Sequence, residues 1–146
     1  MKEIFDWLKS ISQPKKELGG HSICPFAKLA KRFKIHHTEH EIIPPDNLDF
    51  DVIIYSLPDS ITLNDINTLC LDLNKKYPDL IFLPDHKDRN TYINGIQTNN
   101  GKYNLVLCQP KQKLKDARVG LKNTDYYSYW DKDYLKEILG EDYDMD

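Results

Sequence analysis

Cys24 follows the segment Gly19-Gly20-His21-Ser22-Ile23 and precedes Pro25-Phe26-Ala27. The glycine pair makes a flexible turn, and Pro25 takes the favoured first position of a helix. Phe26, Leu29, Ala30 and Phe33 then recur at i, i+3, i+4 and i+7, which predicts a helix starting at Cys24. A helix start carries partial positive charge and unpaired N–H groups, so it favours a thiolate or a bound anion. The helix end contributes roughly 0.3–1 kcal/mol, about 2 at best, which lowers a thiol pKa by about 0.2–1.5 units. From about 8.5 that reaches about 7 only in the best case. His21 and Lys28 are the local cations that would supply the rest. Cys24 is therefore a candidate nucleophile or anion-binding cap with Gly20 and His21 beside it. The alternative is a small, partly buried cap with no reactivity.

A second candidate is the polar loop Asp85-His86-Lys87-Asp88-Arg89-Asn90, which leaves the end of an apolar strand, where α/β sheets place ligand sites. His86 is the candidate proton carrier, and Arg89 or Arg118 the clamp for a carboxylate or phosphate. Asn94, Gln97 and Asn100 add neutral hydrogen-bonding groups. The alternative is a solvated loop. The strand histidines read as solvated residues, with a metal site assembled from distant parts, such as His21, Cys24 and His86, as the alternative. On a strand, His36 and His40 would stand about 13 Å apart at about 3.3 Å per residue, too far to share one zinc. Zinc–ligand bonds are only about 2.0–2.3 Å. No metal or cofactor is expected. Cys70 lies on the apolar stripe of a helix and Cys108 alternates with Val106 on a strand, so both read as core. Tyr126-Tyr127-Ser128-Tyr129-Trp130 reads as packing at a helix junction, or else as a stacking or partner surface.

The run Cys24-Pro25-Phe26-Ala27-Lys28-Leu29-Ala30-Lys31 resembles the active-site start of glutaredoxin-like domains and omega-type glutathione transferases, and His37-Thr38-Glu39-His40-Glu41-Ile42-Ile43 resembles the extended segment behind it. The resemblance spans about 20 residues and implies thiol transfer at Cys24. Ala27 holds the place of a resolving cysteine, and the polar Lys15-Lys16-Glu17-Leu18-Gly19-Gly20-His21 stands where that family has a buried strand. Leu18-Gly19-Gly20-His21-Ser22-Ile23-Cys24-Pro25-Phe26-Ala27 is also similar to bacterial families marked by a Cys-Pro-Phe-Ala motif after a glycine.

The elements that must position these residues follow from periodicity. Ile4, Leu8 and Ile11 mark a helix over 2–11, ended by Pro14. Residues 34–43 read as an exposed strand, and Val52-Ile53-Ile54-Tyr55 as a buried one. Thr62 caps a helix carrying Ile66, Leu69, Cys70 and Leu73, and Leu80-Ile81-Phe82-Leu83 is the next strand. That makes a βαβ unit with two parallel strands. Residues 92–98 and 103–109 flank Asn99-Asn100-Gly101-Lys102 and read as a hairpin, with Asn94-Gly95 as a bulge or an alternative turn. A helix with Leu114, Ala117 and Leu121 in register follows Pro110, and a last one, capped by Asp131, carries Tyr134, Leu135, Ile138 and Leu139 and stops at Gly140. The expected fold is a single α+β domain over 1–146: a mixed sheet of four or five strands, one βαβ unit, a C-terminal hairpin and about five helices.

A chain of 146 residues is long enough for a real core. Its 20 basic and 23 acidic residues leave a net charge of −3, which argues against a generic nucleic-acid binder. No window approaches a membrane span, and three separated cysteines fit a reducing cytosol. The abundance of Asn, Lys, Ile and Tyr reads as codon bias, of the kind found in phage or small bacterial genomes. The leading expectation is an enzyme or binding protein for a small anionic molecule. The competing one is a non-catalytic module, of the phage-encoded kind, that contacts a partner protein.

Overall fold

The computed structural model describes residues 2–22, 24, 33–38, 41–93, 96–130 and 132–139. Four α-helices are seen among them: α1 (Lys2–Ser12), α2 (Leu63–Lys76), α3 (Lys111–Lys122) and α4 (Lys132–Leu139). Six strands accompany them: β1 (Phe33–His37), β2 (Val52–Leu57), β3 (Leu80–Asp85), β4 (Tyr92–Ile93), β5 (Ile96–Gln97) and β6 (Asn104–Pro110). The fold is α+β with a four-stranded mixed sheet. Most of the fifth expected helix, residues 25–32, lies outside the described residues, as do Asp131, Gly140 and the acidic tail 141–146. Its expected last position, Phe33, is corrected, because Phe33 opens β1 and pairs with Val52.

The chain divides into two compact units. One comprises Met1–Leu29, Thr91–Thr98 and Leu114–Asp146, the other Ala30–Asn90 and Asn99–Lys113.

The second unit holds the sheet, in the order β1-β2-β6-β3. β1 runs parallel to β2, while β6 is antiparallel to both β2 and β3. β2 and β3 therefore point the same way, as the βαβ reading requires, but they are not neighbours. β6 occupies the place between them because Leu105, Val106 and Cys108 are all at 0% exposure, so this strand has apolar groups on both faces. The register sets Ile53, Cys108 and Phe82 in one row and Tyr55, Val106 and Pro84 in the next. That face packs with Ile66, Cys70 and Leu73 of α2 in one core. Burying a side chain such as Phe82 is worth roughly 1.5–3 kcal/mol. Burial also pushes the Cys70 and Cys108 thiols up to about 12, so both stay protonated.

Local signals define the borders of α2 and β3. The Asp65 N–H donates to Thr62 Oγ1 at 3.1 Å, the expected N-cap. Asn74 then clamps the outer edge of β3: its Oδ1 accepts from Phe82 N–H at 2.8 Å and its Nδ2 donates to Phe82 O at 3.1 Å.

The expected hairpin between 92–98 and 103–109 forms differently. β4 pairs with β5 across positions 94–95, and β6 leaves for the sheet. At the other candidate turn, Asn100 Oδ1 accepts from Lys102 N–H at 2.9 Å and from Tyr103 N–H at 2.6 Å. This Asx-type turn redirects the chain instead of pairing its flanks.

The first unit carries Ile4, Leu8 and Ile11 buried at i, i+4 and i+7 on α1, and Trp7 Nε1 donates to Thr98 O at 3.1 Å. Leu135 and Leu139 are buried on α4.

Candidate functional site

Gly20, His21, Cys24, Gln97 and Arg118 belong to the first unit; His86, Arg89 and Asn100 belong to the second. Asn94 lies outside the described residues.

In the first unit the glycine turn is a closed, hydrogen-bonded structure. Gly20 N–H donates to Lys15 O at 2.9 Å and Lys15 N–H donates to His21 O at 3.0 Å. Gly19 takes φ +63° and Gly20 φ +87°, the left-handed region that glycine supplies without strain. His21 Nε2 meets Asp125 Oδ1 at 2.6 Å, and the His21 ring stands edge-on to Tyr126. Tyr129 donates its hydroxyl to Asp125 Oδ2 at 3.3 Å. The hydrogen bond from His21 holds the Asp125 carboxyl below the usual carboxylate range. His21 thus fastens the turn to the aromatic cluster 126–130, which the junction-packing reading had anticipated as structure. Cys24 is half-buried, and its N–H donates to Ile11 O at 2.8 Å. Arg118 is 4% exposed on the same face of α3 as Leu114, so its guanidinium is held inside instead of being offered at the surface. Gln97 is exposed on β5.

This packing makes Gly19 a sensitive position. A Cβ there would collide with the Tyr129 hydroxyl and lie 2.8 Å from Tyr129 Cε2. Gly19→Ala is expected to cost about 1–2 kcal/mol from its backbone conformation alone, with a further cost for displacing Tyr129. Gly20→Ala, where nothing stands within 4 Å, should lose only the conformational part. Denaturant midpoints of the two variants, with the near-ultraviolet circular dichroism of the tyrosines, check this ordering.

The second unit brings the loops after β2 and β3 to one edge of the sheet, as expected. His86 is only 2% exposed. Its Nε2 meets Ile61 O at 2.8 Å and its Nδ1 meets the Asp88 N–H at 3.0 Å. A carbonyl only accepts and an N–H only donates, which assigns the neutral tautomer protonated at Nε2. Both ring nitrogens are engaged in holding the loops, so neither is presented to a substrate proton in this arrangement. Asn104, fully buried, completes the clasp: its Oδ1 accepts from Lys87 N–H and its Nδ2 donates to Pro58 O, each at 3.1 Å. Asn100 Nδ2 donates to Asp85 Oδ2 at 3.1 Å. Burial pushes the Asp85 carboxyl up to about 6, against the opposing pull of Asn100 and of Arg89. Asn104 was not singled out by sequence, and Asp85 only as the first residue of the candidate loop. Turn-forming residues are common at strand ends, and only the three-dimensional pairing shows that Asn104 is internal and Asp85 partly so.

The third feature is a cleft of about 390 Å³ beside β1. Lys34, His36 and His37 line it with Thr38. Ile43 and Pro45 form its apolar rim, and Ile53 and Tyr55 lie below. Lys34 pairs in register with Ile53 and His36 with Tyr55, so Lys34 and His36 share one face. The His36 ring stacks on Tyr55 with centroids 5.8 Å apart and planes at 25°. Burial holds the Tyr55 hydroxyl protonated, with its pKa pushed up to about 12. Glu41 also lines the cleft, but Lys76 Nζ lies 3.6 Å from its carboxylate. Lys34 is therefore the fixed cation of this lining, with the imidazoles of His36 and His37 among its neighbours. Sequence treated these histidines as solvated strand residues. The strand period of Lys34 and His36 was the available signal, whereas the return of Ile43 and Pro45 beside them was not. Among the described residues no group of three or more potential metal ligands is assembled, and no helix is long and apolar enough to cross a membrane. Comparison with protein-family models, curated proteins and solved structures finds no match to this chain.

Proposed function

We propose that this protein binds an anionic ligand, and that the cleft beside β1 is where it does so. The observation that carries the reading is the placement of Lys34 and His36 on one face, with His37 at the same recess and Glu41 drawn toward Lys76. The anionic-ligand expectation is kept, while the centre of binding moves from the Cys24 turn to an edge strand. Lys34 supplies a fixed charge, His36 supplies an imidazole N–H backed by an aromatic face, and Tyr55 contributes a neutral floor.

Titration with succinate, and separately with inorganic phosphate, tests this directly by nuclear magnetic resonance. Saturable shifts should centre on Lys34, His36 and their neighbours on β1. Exposed charge pairs and hydrogen bonds are worth about 0.2–1 kcal/mol, so Lys34→Ala and His36→Ala should each weaken binding by about 1.4–5-fold. Cys24→Ala should leave it unchanged. Shifts scattered over surface lysines without saturation, or centred on Cys24, would overturn the assignment.

A further inference from the structure

The two edges of the sheet are treated differently. At the β3 edge, Asn74 supplies an amide that occupies both backbone groups of Phe82, and so blocks addition of another strand there. The opposite edge is β1, which among the described residues pairs with β2 alone.

The direction of the backbone groups on β1 follows from one bond. Thr38 N–H donates to Ser56 O at 3.0 Å. In a parallel ladder, alternate residues send both backbone groups to the same neighbour. Lys34, His36 and Thr38 therefore face β2, and Ile35 between them turns its N–H and C=O outward. Beside that edge lies the cleft, with Lys34 and His36 two residues apart on one face. Ile43, 71% exposed, stands at its rim.

A small ion would use the charges and leave the outward amide and the apolar rim unused. An extended chain uses all three. We propose that β1 is a docking edge for an acidic peptide in extended conformation, which adds as a fifth strand of the sheet and sets carboxylates on alternate residues against Lys34 and His36. The intervening side chains of that peptide fall beside Ile35 on the other face, where apolar residues fit. The occupant is identified by charge complementarity. A second copy of this chain would instead bring another Phe33–His37 strand, which has no carboxylate to meet Lys34. This inference rests on the anion-binding reading of the same cleft and adds to it the polymeric nature of the ligand.

The test uses the full-length protein and a fluorescein-labelled eight-residue peptide that alternates Glu with Val. A second peptide has Gln for Glu, and a third carries N-methyl groups on the backbone amides of its Val residues, or in a fourth on those of its Glu residues. Fluorescence anisotropy should show saturable binding of the first peptide. Binding should weaken at least tenfold with Gln, and at least tenfold with one of the two methylated registers, since only one set of amides faces β1. Lys34→Glu should abolish binding, and resonances of Ile35 should shift on complex formation. Equal affinity for all methylated forms would overturn strand addition while leaving an anion site. Succinate shifts at Lys34 and His36 with no peptide binding would likewise sink this inference and spare the earlier reading. Absence of both would remove the two together. Concentration-dependent dimerisation through Ile35, seen by sedimentation without peptide, would assign the edge to a second copy and overturn the proposal.

Discussion

Asp85→Asn is expected to stabilise the protein above pH 7 and to erase a pH dependence between about pH 4 and pH 6. A free aspartate titrates near about 3.9, and burial holds Asp85 at about 6. The folded state therefore binds this proton more tightly than the unfolded chain does. A raised carboxylate contributes stability that is fully present below the unfolded value and is lost as pH rises through the folded one. About two units at about 1.36 kcal/mol each make this roughly 3 kcal/mol. Asparagine keeps the shape and can still accept from Asn100 Nδ2 through its own oxygen, but it has no charge to bury. At pH 8 the variant should gain about 1–3 kcal/mol, or several degrees in Tm at about 2–4 °C per kcal/mol. At pH 4 it should show no gain. Thermal unfolding of both proteins from pH 4 to pH 8 reads this, and parallel curves at every pH would mean that Asp85 is not the group responsible.

The second large effect is expected at Asn104. This side chain joins the loop after β2 to the loop after β3 through Pro58 O and Lys87 N–H. Asn104→Ala leaves both groups without their partner and opens a gap at a fully buried position, so a loss of about 2–3 kcal/mol is expected. Asn104→Asp preserves the shape and the acceptor for Lys87, but it turns the donor to Pro58 O into a second oxygen. It should cost at least as much near neutral pH and recover part of the loss on acidification, when the carboxyl regains a proton to donate. Urea midpoints with an unchanged slope, together with faster hydrogen exchange at the Lys87 amide, would establish the role. A loss below about 0.5 kcal/mol for both variants would show that the clasp is dispensable. His86, tied through both ring nitrogens, belongs to the same internal arrangement.

Much of the architecture is written in local patterns. The helix periodicities of α1 and α2, the Thr62 cap, the unbroken apolar run of β2 and the burial of Cys70 and Cys108 all come from spacing, because burial repeats with the period of the element. That the loops after β2 and β3 share one edge also follows, since a βαβ connection leaves its strands pointing the same way. The insertion of β6 between those strands did not follow. No local pattern says that β6 pairs with both β2 and β3 while β4 pairs with β5 in a separate sheet.

The functional residues divide in the same way. The glycine turn before Cys24 was legible as a turn, because two adjacent glycines have few other uses. That His21 spends its ring on Asp125, 104 residues away, was not. His86 and Arg118 carry chemistry that suggested a site, yet burial turns one into a clasp between loops and encloses the other. The sequence by itself determined the elements, their apolar faces and the turns between them, since each depends on residues within a few positions of one another. Only the tertiary structure decided which polar groups are consumed inside and which are presented outside. The energy of a buried carboxylate, a doubly bonded imidazole or an outward strand edge depends on neighbours that are distant in the chain.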